Sequence, residues 1–169
     1  MATIADTSVR ERPFAPDTYE RVLSAGAVIL LAAVLIALFK GRDEWALLSF
    51  GVQVHLVAIT VAVALTPIML LRPRGTPMHR QLGWVWIGSM VLAAVISFGV
   101  RGANHGGFSI IHLLSAWVLI QVPLIVLSAR AHNVKRHRRA VRGLVTGALL
   151  IAGFFTFPFD RLMGHWLFS

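Results

Sequence analysis

The chain has 169 residues, of which 57% are hydrophobic and only 14% charged, and its mean hydropathy is +0.74. A soluble domain carries about a quarter charged residues, and the repeated apolar runs of about 18 residues or more are the mark of membrane helices. The absence of cysteine excludes disulfides, thiol catalysis, iron–sulfur clusters and haem attached through paired cysteines.

Residues 1–16 mix Arg10, Glu11, Arg12, Pro13 and Pro16 without periodicity and are expected to form a flexible cytoplasmic tail. Their acids and their length before the first apolar run do not fit a signal peptide. Asp17-Thr18-Tyr19-Glu20 has the pattern of a capping box, which starts a first helix over about 18–39. Lys40 to Glu44 is a short charged loop, and a second helix is expected from Trp45 to Leu71, carrying Gln53 and His55 early. Arg72-Pro73-Arg74-Gly75 is a basic turn. Thr76 is placed to cap a third helix with Pro77 in its first turn, where a missing N–H costs nothing. That puts His79 in the opening turn of a helix reaching Val100. The segment from Arg101 to Gly107 is glycine-rich, and Ser109 is the expected cap of a fourth helix that holds His112 and ends near Arg130. Asn133 is placed to cap a fifth helix, basic for two turns, apolar from Gly143 to Phe157 and stopped at Pro158-Phe159-Asp160. Residues 161–169, with Trp166 and Phe168, read as an interfacial tail.

The expected fold is therefore all-α, an integral membrane bundle of five transmembrane helices over residues 17–160. The net charge of +9 is distributed as a topology signal rather than as a nucleic-acid surface. Of the 16 lysines and arginines, four (Lys40, Arg42, Arg101 and Arg161) fall on one side of such a bundle and the other twelve on the opposite side. Positive residues stay inside, so the N-terminus is expected in the cytoplasm and the C-terminus outside. The basic excess then meets anionic lipid headgroups, and nucleic acid is not a partner.

Four histidines sort by depth in this topology. His55 and His112 lie near the outer ends of the second and fourth helices, His79 and His137 near the cytoplasmic ends of the third and fifth. Two pairs at two depths on four helices are what a bundle needs to hold two haems by bis-histidine ligation. Gly83, one turn from His79, leaves room for a flat macrocycle. The plainer alternative is that His79 and His137 are interfacial side chains among arginines. Polar residues at the depth of His55 and His112 default to a functional role, although a hydrogen bond to Gln53 or Ser115 would also account for them. His105, His132 and His165 read as loop, interfacial and tail residues.

The order of an apolar helix with a histidine, Gly75-Thr76-x-x-His79-Arg80-x-x-Gly83-Trp84, Phe108-Ser109-x-x-His112-Leu113-Leu114-Ser115 and His137-Arg138-Arg139-x-x-x-Gly143 resembles a bacterial family of small predicted integral membrane proteins of unknown function, over roughly residues 50–160. That family is distantly similar to the cytochrome b-561 class. The resemblance implies a four-helix core formed by the second to fifth helices, two b-type haems, and pairing of His55 with His112 and of His79 with His137. The histidine intervals are shorter on the cytoplasmic side than in that class, and its ascorbate-binding motifs are not recognisable.

The functional expectation is a transmembrane electron carrier taking electrons from a quinol or other small reductant and passing them to a membrane or extracytoplasmic acceptor. Arg80, Arg138 and Arg139 would meet haem propionates or an anionic donor on the inner side, and Arg101 and His105 on the outer side. The rival is a non-catalytic subunit or assembly factor of a larger respiratory or photosynthetic complex, favoured by the short loops, the lack of a soluble domain and the lack of an acid inside the spans. A third reading is a quinone- or lipid-binding module built on Trp84, Trp86 and the arginines.

Overall fold

A computed structural model of the chain describes residues 15–99, 110–158 and 161–169, with the side chains of residues 110 and 111 excepted. The expected tail over residues 1–14, Arg101, His105 and the cap at Ser109 lie outside them. The described residues are helical and contain no strand. Four helices are long and apolar enough to cross a membrane. They are α1 (Thr18–Lys40), α2 (Phe50–Leu71), α3 (Pro77–Ser97) and α4 (Ile110–Arg130). Each has at least 21 residues, a rise of about 30 Å, which matches the hydrocarbon thickness of a bilayer. Large apolar side chains such as Ile29, Phe39, Val57, Leu92, Leu113 and Leu127 are exposed along them, a surface that suits lipid.

Local rules set several boundaries. Asp17 and Glu20 form the reciprocal capping box, Thr76 accepts the His79 amide at 3.1 Å with Pro77 in the first turn, and Asn133 accepts the Arg136 amide at 3.0 Å. Gly75 turns the chain between α2 and α3 with φ 81°, a left-handed conformation that glycine adopts without strain. Between α4 and the next helix, His132 is also left-handed, φ 54°. The amides of His132 and Asn133 bond back to the carbonyls of Ala129 and Ser128, a Schellman closure of α4 that hands the chain directly to the Asn133 cap.

The second helix does not begin at Trp45 as expected. Gly41–Leu47 forms a 3₁₀ segment, Leu48 is extended, and α2 starts at Phe50. Gln53 explains the break: its side-chain amide donates to the carbonyls of Trp45 and Leu48 at 2.9 and 3.2 Å, so these acceptors need no helical amide. The basic helix α5 (Val134–Leu144) continues without a break as a π-type stretch (Val145–Ile151) and a last α turn, α6 (Ala152–Phe154). Residues 161–169 hold a helix, α7 (Leu162–Phe168), whose Trp166 is 1% exposed and packs where Gly41 has no side chain. Its indole N–H donates to Glu44 at 2.9 Å.

α1 runs away from the end holding Asp17, α2 returns, and α3 and α4 repeat the alternation. The α2–α3 and α4–α5 turns therefore share an end with Asp17, and the start of α2, the end of α3 and α7 share the other.

Candidate functional site

At the Asp17 end, residues of α2, α3, α4 and α5 line a cavity of about 660 Å³, within the range of cofactor pockets, about 300–1,000 Å³. Its body is apolar, from Met69, Leu70, Trp86, Ile87, Ile125 and Val141. Gly83 adds a stretch of wall without a side chain. Trp86 is fixed there because its indole N–H donates to Thr66 at 3.0 Å, while Trp84 lines the cavity and is 57% exposed.

The structure brings His79 and His137 together on this wall. Their ring centres are 6.4 Å apart and the planes meet at 70°. The His137 Nδ1 lies 3.1 Å from the carbonyl of Ile125. A carbonyl can only accept, so Nδ1 carries the proton and Nε2 keeps its lone pair. The Nδ1 of His79 is buried and has no hydrogen-bond partner among the described residues, an arrangement that ordinarily costs free energy.

His55 and His112 both contact the far end of α3. The Nδ1–H of His55 is shared between the carbonyl of Ala93 at 3.0 Å and the hydroxyl of Ser97 at 3.1 Å, and Ser97 in turn donates to Ala93 at 2.8 Å. His55 is thus oriented as His137 is, with Nε2 available, and its partner is α3 rather than Gln53. His112 is 5% exposed, with its ring centre 6.0 Å from that of Phe98.

The charges of the cavity were only partly legible beforehand. Arg80 lines it and donates to the carbonyl of Gly75 at 3.4 Å. Arg138 lines it as well, but its guanidinium is engaged with Asp17 at 2.9 Å and with Glu20 at 3.1 Å, and Arg139 is exposed. Arg130, not singled out by sequence, lies on the rim. Among the described residues, neither Arg80 nor Arg130 takes part in a salt bridge. Glu20, read from sequence only as a capping residue, is 1% exposed and also lines the cavity. It pairs with Arg74, Arg138 and Arg142, so one span does carry a buried acid.

Among the described residues no cluster of three or more histidine, aspartate or glutamate side chains is arranged to hold a bare metal ion. No family model matches the chain, and no curated protein or solved structure matches it.

Proposed function

We propose that the chain is a transmembrane electron carrier that holds b-type haem by paired histidines, one haem between His79 and His137 and a second between His55 and His112. The observation that carries this reading is the first pair. Two imidazoles from different helices meet on the wall of a cofactor-sized cavity with their centres 6.4 Å apart. Imidazoles bonded to opposite sides of one metal by bonds of about 2.0 Å have centres about 6 Å apart. A porphyrin supplies the remaining ligands, so two side chains suffice.

The surroundings fit the same group. A backbone carbonyl orients His137 and another orients His55, as metal-bound histidines require of their second nitrogen. The apolar body accepts a flat macrocycle, and Arg80 and Arg130 are placed for its carboxylates, whereas Arg138 is engaged with Asp17 and Glu20. When bound, haem supplies one-electron chemistry, and the protein supplies ligands, orientation and dielectric. In this reading α5 and its continuation to Phe154 form the fifth span and α2 to α5 the four-histidine core that the likeness to cytochrome b-561 implies. The arginine-rich end then faces the cytoplasm of a bacterial cell.

The test is a reduced-minus-oxidised spectrum of protein purified from haem-replete cells. Two b-type haems per chain are expected, with His79→Ala or His137→Ala removing one and His55→Ala or His112→Ala the other. Colourless protein whose folding is unchanged by these substitutions overturns the reading. Exposed Trp84 on the cavity wall favours a second one, a quinone- or lipid-binding module, which predicts colourless protein that binds a quinone analogue.

A further inference from the structure

α1 carries none of the four histidines, yet its Glu20 reaches the cavity. Burying a carboxylate costs several kcal/mol unless charges compensate it. Here the compensation comes from two separate places. Arg74 stands in the turn that leads into α3, and Arg138 and Arg142 stand one turn apart on α5. One carboxylate oxygen pairs with all three guanidiniums, at 3.1 Å for Arg138 and 3.1 Å for Arg142. The other accepts the Asp17 amide and a second Arg138 nitrogen, each at 3.2 Å. The Arg74 turn runs directly into Thr76, whose hydroxyl holds the His79 amide, and Arg138 follows His137 in the chain. A single buried charge therefore ties together the two backbones that present the paired imidazoles. Without it, Asp17 would still hold Arg138 and Arg142, but Arg74 would face them with no carboxylate between, which drives the α2–α3 turn away from α5.

We propose that Glu20 is the positioning residue of the His79–His137 pair, setting the distance between the two rings by clamping the α2–α3 turn to α5. This rests on the haem reading above.

The experiment compares full-length wild type, Glu20→Gln, Arg74→Gln and His79→Ala for haem per chain, low-spin electron paramagnetic resonance signal and reduction midpoint. His79→Ala identifies the signal that belongs to this pair. In Glu20→Gln that signal is expected to fall to half or less, while the signal and midpoint of the other haem stay as they were. Haem that remains at the pair has lost a nearby negative charge and takes an electron more readily. Its midpoint should rise by about a tenfold change in equilibrium constant, about 59 mV for one electron. Arg74→Gln breaks the clamp on the α3 side alone and should weaken the same signal while lowering the midpoint, and it carries the test if Glu20→Gln does not fold. An unchanged signal and midpoint in either folded variant overturns the clamp and leaves the haem reading standing. Equal loss of both haems in step with lower thermal stability does the same. Wild type without haem removes the haem reading and the clamp with it.

Discussion

The two ends of the bundle are closed by opposite means. At the Asp17 end, two carboxylates and three guanidiniums draw α1, the α2–α3 turn and α5 together, and the helices stay far enough apart to leave the cavity. At the other end, beside hydrogen bonds from Trp166 to Glu44 and from Lys40 to the backbone oxygens of Leu167 and Ser169, closure is steric. Gly41 lies against the Trp166 ring, and Gly164 lies against the Phe157 carbonyl so closely that neither has room for a side chain. Ion pairs act over several ångströms and tolerate space between them, whereas dispersion contacts need atoms that touch. The difference explains why the cavity, and the unpartnered Nδ1 of His79, occur at the charged end.

This contrast can be broken from either side. The largest effect is expected from Gly164→Ala, which forces a methyl group into the Phe157 backbone. It should cost about 3 kcal/mol or more, seen as a lower midpoint of thermal unfolding in detergent, and an unchanged midpoint would refute steric closure. A smaller loss is expected on the cavity side from Thr66→Val, which leaves the buried Trp86 N–H without its acceptor at a cost of about 1–3 kcal/mol. Trp86 fluorescence and the same unfolding experiment check it. The smallest effect belongs to Asp17. Partial burial raises its pKa, but the Glu20 amide and the guanidiniums of Arg142 and Arg138 outweigh this and hold the carboxyl below its ordinary value. Its contribution is therefore present above the unfolded value of about 3.9 and is lost as pH falls through the folded one. Melting curves between pH 6 and pH 3 should show this loss in the wild type and less of it in Asp17→Asn. Gly164→Ala should leave that pH dependence as it is.

How much of this was legible in the sequence depended on the range of the interaction. The caps at Asp17, Thr76 and Asn133 and the proline at the start of α3 are fixed by residues within one turn, so reading them in order was enough. The start of α2 was misplaced because Gln53 looked like an intramembrane polar residue, when its side chain serves carbonyls just upstream. The packing of Trp166 was not legible because its partners, Gly41 and Glu44, are more than a hundred positions away. The burial of Glu20 was not legible because its partners Arg74, Arg138 and Arg142 stand on other elements. The spacing of Arg138 and Arg142, four apart on one helical face, was the signal that a buried acid should lie opposite. For His79 and His137, the structure gives the approach of the two rings. For His55 and His112, the structure gives their common neighbour, α3.

The π-type stretch after α5 has a consequence for tolerance. The helix before it must aim Arg138 and Arg142 at Glu20, while the helix after it must set Gly153 against Leu30, where a side chain would come within 2.7 Å. Between them Gly147 gives way to the ring of Trp117. A straight α-helix advances about 100° per residue, so meeting both ends would fix its register with no slack. The wider turn takes up one residue and works as a phase adjuster. It lets the charged half and the apolar half of one helix each keep its own partner, so that sequence change in one half need not be matched in the other.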